Sequence, residues 1–360
     1  MSLQARTGYA ARETGFAIAR GKTARKSGNN GCGRGNMKSR SKFQVDFATV
    51  SEMTQKAGIG SAESVEPLGA GEFNTVLAVR AGGKDYALKI APAPWSETLS
   101  YERDMMRAEV FWYDVLAKRT DIAVPEIYFA DFSRTLIPTD WFLMQKVDGA
   151  HPTDKAQKAE LCDYIASTLA KMHRVHGEKF GYEQGRRFDD WHAALRDMVT
   201  TLLDELKAKN HTSRRGEKLL ALIDRHADIL KKAECTMVNY DLWTLNIIAS
   251  EKDGKTQFTL IDPERCFWGD RAADFVCMEI LRPLSKKRAS LAAYNKVADV
   301  PFEVTCETKI RYGLMTAYMG LLQETEKHYR YTPAMWGWWR NVISGAMFYR
   351  AGFSEIKKAK

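Results

Sequence analysis

From about residue 60 the apolar positions fall into short runs of strand length. Val65-Glu66-Pro67-Leu68, Thr75-Val76-Leu77-Ala78-Val79 and Tyr86-Ala87-Leu88-Lys89-Ile90 are three such runs, and Gly82-Gly83 between the last two is a hairpin turn signal. The period then changes: Met105, Ala108, Phe111, Trp112 and Leu116 share one helical face and predict a helix over 100–118. After Val124-Pro125, the runs Ile127-Tyr128-Phe129 and Trp141-Phe142-Leu143-Met144 read as two more strands. Beyond Val147-Asp148-Gly149 the pattern turns helical, with Leu161, Ile165, Leu169 and Met172 on one face of a helix over 156–174. Further helices are predicted over 190–208, 215–232, 303–327 and 334–352. Two short apolar stretches, 237–249 and 258–270, interrupt them. The expectation is an α+β chain of two lobes, a strand-rich one over 60–147 and a helical one over 148–355, with no internal repeat.

Composition narrows the function classes. A hydrophobic content of 45% and a charged content of 28% over 360 residues are ordinary globular values and exclude a wholly disordered chain or a coiled coil. No run of 18 apolar residues occurs, so no membrane-spanning helix is expected and no membrane partner. The net charge of +9 would suggest nucleic acid, but its location argues otherwise. The first 44 residues hold ten Lys/Arg and one acid, Glu13, which leaves 44 bases and 44 acids in the remainder. The body therefore offers no basic surface, and no nucleic-acid partner is expected. Residues 1–50, rich in Gly, Ser, Asn, Arg and Lys at their start, are expected to be a disordered basic tail or leader. The segment superficially resembles a transit peptide; an extension upstream of the true start is the plainer reading, since Met37 and Met53 could each initiate. Six cysteines without a CxxC pair read as reduced thiols of a cytoplasmic protein, and zinc is not expected. Nothing in the sequence fixes an oligomeric state.

Three features carry chemistry. Gly69-Ala70-Gly71-Glu72-Phe73-Asn74-Thr75-Val76 is a Gly-x-Gly loop between two predicted strands, where glycines let the backbone approach phosphate oxygens. Asn74 stands where a fuller loop would have a third glycine. Lys89 lies within an apolar strand, where an ammonium needs an anionic partner. Glu109 on the following helix is the first candidate to hold it, and Glu102 the second. Downstream, Asp241-Leu242-Trp243-Thr244-Leu245-Asn246 is an Asp-x-x-x-x-Asn set between apolar residues, and Asp262-Pro263-Glu264 closes the next apolar run. Phosphoryl transfer needs a carboxylate to orient or deprotonate a hydroxyl, together with hard oxygen ligands for Mg²⁺. Asp241 fits the first need. Asn246 and Asp262 fit the second, with Glu264 as a further metal candidate.

The order of these features resembles the protein-kinase-like fold, and specifically the aminoglycoside phosphotransferase family with its choline kinase and fructosamine kinase relatives. Asp241-Leu242-Trp243 with Asn246-Ile247 is similar to that family's catalytic loop. Gly269-Asp270-Arg271-Ala272-Ala273-Asp274-Phe275 looks like its Gly-Asp-Pro-x-x-Asp segment, which implies that Asp274 braces the loop through backbone hydrogen bonds. Phe142-Leu143-Met144-Gln145-Lys146-Val147-Asp148-Gly149 looks like its interlobe linker. The resemblance implies an ATP-dependent phosphotransferase acting on a hydroxyl of a small acceptor, such as an aminoglycoside or a sugar-like compound. It implies that Gly69, Gly71, Val76, Lys89 and Glu109 hold the nucleotide, with adenine on the Gln145 carbonyl and the Val147 N–H. Two positions depart from the family pattern: Asn239 stands for a usual His and Tyr240 for a usual Gly. They support a second reading, a catalytically weak nucleotide-binding regulator of pseudokinase type. A protein kinase is disfavoured, because His-Arg-Asp, Asp-Phe-Gly and Ala-Pro-Glu are missing. Trp336, Trp338 and Trp339 are expected to pack internally, Glu324 and Glu326 to be solvated helix-face acids, and His173 and His176 to be structural.

Overall fold

Strand β3 (Lys84–Ile90) fixes the upper half of the molecule by its alternation. Tyr86, Leu88 and Ile90 pack on one face of the sheet with Val79, Trp141 and Leu143, and with Val50 and Met53 from helix α1 (Phe47–Lys56). Ala87 and Lys89 therefore point to the other face, since successive side chains alternate. There Phe142 meets Met106 and Tyr113 of helix α2 (Met105–Arg119). The sheet contains β1 (Ala62–Pro67), β2 (Thr75–Ala81), β3, β4 (Ile127–Asp131) and β5 (Trp141–Gln145) in the antiparallel order β1-β2-β3-β5-β4. This computed structural model describes residues 42–69, 73–152 and 155–359.

Helix α1 corrects the expectation that the tail runs to residue 50. Asp46 caps it by accepting from the Thr49 N–H at 2.9 Å, and Val50 and Met53 are fully buried beneath the sheet. A ten-residue amphipathic helix needs only that much apolar surface when a sheet is there to receive it. Residues 1–41 of the expected tail lie outside the described residues.

The remaining chain is mostly helical: α3 (Lys155–Met172), α4 (Trp191–Ala208), α5 (Arg214–Arg225), α6 (Ala227–Leu230), α7 (Arg288–Asn295), α8 (Cys306–Arg330) and α9 (Trp336–Lys357). Two small strand pairs interrupt it, β6 (Thr236–Val238) with β9 (Phe267–Gly269), and β7 (Ile247–Lys252) with β8 (Lys255–Leu260). The β7–β8 hairpin turns at Asp253-Gly254, both with positive φ. Gly149, at φ +133°, lets the linker cross into this half: a Cβ there would stand 2.2 Å from the Ala249 carbonyl oxygen.

Helices α8 and α9 approach backbone to backbone where Gly313 faces Gly352. A Cβ on Gly352 would lie 2.4 Å from the Gly313 oxygen and 2.6 Å from the Ala317 nitrogen. Helix α2 belongs as much to the helical half as to the sheet, because Met105, Ala108, Trp112, Val115 and Leu116 join the large core of that half. The tryptophan expectation needs correction: Trp336 is 72% exposed and Trp339 51%, because α9 turns that face outward. Trp338 does pack, edge-on to His328 at 4.8 Å. No helix among the described residues is long and apolar enough to cross a membrane.

Candidate active site

Lys89 brings the two halves together. Its Nζ donates to Glu109 Oε2 at 2.7 Å, to Asp262 Oδ1, and to Glu264 Oε2 at 3.2 Å. Strand alternation directs the side chain toward α2, and Glu109, fully buried, meets it there. Burial alone would depress the ammonium, but the carboxylates of Asp262, Glu109 and Glu264 hold it well above the ordinary lysine value. Burial raises the carboxyl of Glu264, with Asp262 adding to the rise. Glu109, Asp262 and Glu264 offer oxygens that all lie within 4.8 Å of one another. Asp262 sits at φ +60°, unusual for a non-glycine, and its N–H donates to the Tyr113 hydroxyl at 2.8 Å. Asn74, standing where the third loop glycine was absent, donates to Glu264 at 2.9 Å.

The loop after β6 presents Asp241. Asn239 accepts from the Asp241 N–H at 3.0 Å, so the amide that departs from the family pattern supports the loop from within. Tyr240 is held at φ +60° with its hydroxyl donating to the Met315 carbonyl at 2.6 Å. Beneath them Asp274 accepts from the N–H groups of Asn239 at 3.1 Å and Tyr240 at 2.6 Å. It also pairs with His173 at 2.9 Å, which makes that histidine structural. Asn246 Nδ2 donates to the Asp241 carbonyl at 2.9 Å and to its Oδ2 at 3.2 Å. Both amide protons of Asn246 are thereby engaged and only its oxygen is left for a cation.

Sequence reasoning missed what stands beside Asp241. Arg265 Nε lies 3.7 Å from Asp241 Oδ2, and its other end pairs with Glu326 of α8 at 3.0 Å. Glu326 also accepts from the Tyr101 hydroxyl at 2.8 Å, and Arg330 joins it to Glu102. Glu326 is thus a buried member of an ionic web rather than a solvated helix-face acid. Burial raises its carboxyl, but Arg330 and Arg265 outweigh this and hold it at about 2. Glu102 serves this web and leaves Lys89 to Glu109. Burial raises Asp241 to about 7, against the pull of Arg265 and with the help of Asp262 and Glu264. No local sequence signal joins residues 101, 265 and 326, whose pairing exists only in the folded chain.

The proposed nucleotide-facing residues are less concentrated. Val76 faces Lys89 across the β2–β3 ladder, and Gly69 leaves open space where a Cβ would stand. Gly71 lies outside the described residues. Gln145 closes β5 opposite Tyr86, and Val147 follows it in the chain.

A five-stranded antiparallel sheet over a helical half, with a buried strand lysine paired to a helix glutamate at the junction, defines the protein-kinase-like fold. Residues 64–288 match the sequence model of the Phosphotransferase enzyme family, and the chain belongs to that family. It is 26% identical over 200 residues to a probable ketoamine kinase of Pasteurella multocida (strain Pm70), a stretch covering 51% of this chain and 64% of that relative. The match therefore spans less than two thirds of the relative's length. Among solved structures, a candidate fructosamine-3-kinase of Haemophilus somnus 129PT superposes with a TM-score of 0.60 at 19% identity, covering 84% of this chain and 96% of that one. A thermostable mutant of the aminoglycoside phosphotransferase APH(4)-Ia, in ternary complex with AMP-PNP and hygromycin B, gives 0.55 at 14% identity over 86% and 98%. These two likenesses establish the fold.

Proposed function

We propose that the chain transfers the γ-phosphoryl group of ATP to a hydroxyl of a small, polyhydroxylated acceptor. The observation that carries this reading is the convergence of Lys89, Glu109, Asp262 and Glu264 on one point, with Asn246 hydrogen-bonded to Asp241 nearby. In this reading Asp241 accepts or orients the acceptor's hydroxyl proton, Lys89 steadies the nucleotide phosphates, and Glu109 fixes Lys89. Arg265 balances the charge of Asp241 and holds its carboxylate in place. Gly69, Gly71, Val76, Gln145 and Val147 contact the nucleotide; the AMP-PNP complex of a structural neighbour supports a nucleotide at this junction.

The donor set suits Mg²⁺, because Asp262, Glu264 and the Asn246 amide are hard oxygen ligands. When bound, the ion neutralises charge on the β- and γ-phosphates. The ketoamine kinase relative makes sugar-derived ketoamines the first acceptors to try, followed by aminoglycosides.

The experiment is ADP release with ATP and Mg²⁺ across ketoamines, aminoglycosides, choline and simple sugars, with Asp241→Asn alongside. Acceptor-dependent turnover is expected to fall by about 10²–10⁴ in the variant while nucleotide binding persists. Nucleotide binding with no acceptor-dependent turnover in either protein would favour a regulator instead.

A further inference from the structure

An ammonium group has three N–H donors, and Lys89 directs them at three different carboxylates, those of Glu109, Asp262 and Glu264. Its side chain is only 5% exposed, so no donor is left for another anion. The three carboxylates group their oxygens as the ligands of a single cation would, and the ammonium occupies that seat. We propose that Lys89 is a built-in counter-cation that keeps a divalent ion out of the acidic pocket until nucleotide arrives. The inference rests on the phosphotransferase reading and concerns how that site is loaded.

Charge explains why the seat is guarded. Three acidic side chains face a single ammonium, and this excess of acidic oxygens attracts a divalent ion. An ion entering alone would meet the ammonium at close range in a poorly screened interior, where like charges repel strongly. The acids are also held in place, Glu264 by Asn74 at 2.9 Å and Asp262 through its N–H on the Tyr113 hydroxyl at 2.8 Å. Polyphosphate changes the balance by offering Lys89 anionic oxygens. The ammonium can take them only by releasing a carboxylate. Asp262 and Glu264 are more open than Glu109, so they are the ones released. Ion and nucleotide therefore enter together, and Lys89 stays with Glu109.

Mn²⁺ is the probe, its free concentration followed by electron paramagnetic resonance in titrations of the full chain. The wild type is expected to bind Mn²⁺ weakly alone and about tenfold or more tightly with a non-hydrolysable ATP analogue. Lys89→Met, which removes the charge at similar length, is expected to bind Mn²⁺ without nucleotide about tenfold more tightly than the wild type. A second change, Glu264→Gln, is expected to abolish that gain. Circular dichroism establishes whether Lys89→Met folds; if it does not, Lys89→Gln takes its place with the same expected gain. Wild type that binds Mn²⁺ equally well with and without nucleotide overturns the inference and leaves the phosphotransferase reading intact. So does a folded Lys89→Met with no gain. Wild type that binds no nucleotide under any condition overturns both.

Discussion

The carboxylate of Asp274 lies 2.6 Å from the backbone nitrogen of Tyr240, a residue held at φ +60°. The left-handed conformation costs a non-glycine residue roughly 1 kcal/mol, and a charge-assisted hydrogen bond from below offsets it. Replacing Asp274 with Asn keeps the shape but weakens the three acceptor contacts. The variant is expected to lose about 2–4 kcal/mol of unfolding free energy, read from urea transitions. Turnover should fall with little change in nucleotide affinity, because the distorted loop carries Asp241 and not the nucleotide contacts.

The raised carboxyl of Asp241 sets a pH dependence. In the role proposed above Asp241 must be ionised to accept a proton, and burial lifts its carboxyl to about 7. The value of kcat/KM for the acceptor is expected to climb with pH and level off above about 7. Arg265→Gln removes the cation that opposes the rise, so the bend should move to higher pH. Profiles recorded with an acceptor that does not itself titrate in this range decide the matter.

Glu326 behaves in the opposite sense. Its carboxyl is lowered from 4.5 to about 2, so its ion pairs contribute fully above pH 4.5 and are lost as pH falls through the interval down to about 2. Glu326→Gln is expected to cost about 2–4 kcal/mol near neutral pH, since it leaves two guanidinium groups without their shared partner. The gap between variant and wild type should narrow steadily on acidification across that interval. A difference that stays constant with pH would exclude this assignment.

The seam between α8 and α9 gives a purely steric prediction. Gly352→Ala places a methyl group 2.4 Å from the Gly313 oxygen and 2.6 Å from the Ala317 nitrogen, both backbone atoms, so the helices must separate. A loss of about 1–3 kcal/mol is expected. Gly185→Ala is the control, because its nearest new neighbour lies at 3.6 Å and stability should stay within about 0.5 kcal/mol.

Much of the site is legible in the sequence because its residues sit on elements with strong local signals. Lys89 lies in a strand whose apolar neighbours fix which way it points, and Glu109 sits on the one strong helix beside that strand. Asp241, Asn246 and Asp262 flank short apolar runs that bring them to strand ends. Helix α1 escaped because its ten residues follow a polar segment and acquire their reason only from the sheet above. The Asp253-Gly254 turn falls between the apolar stretches 237–249 and 258–270, and the hairpin it closes reaches beyond both. Glu326 and Arg265 escaped for a different reason. A buried ion pair leaves no periodicity, so an acid on a helix looks the same whether it faces water or a guanidinium.

Helix α2 holds Glu109 while its own apolar face, from Met105 through Leu116, is seated in the core of the helical half. On the sheet side, the buried contacts of α2 are Met106 and Tyr113 with Phe142. Swinging the helix away to disengage Lys89 would expose Trp112 and its neighbours. The Lys89–Glu109 pair therefore lasts as long as the packing that seats this helix, and it shares the stability of the core around Trp112.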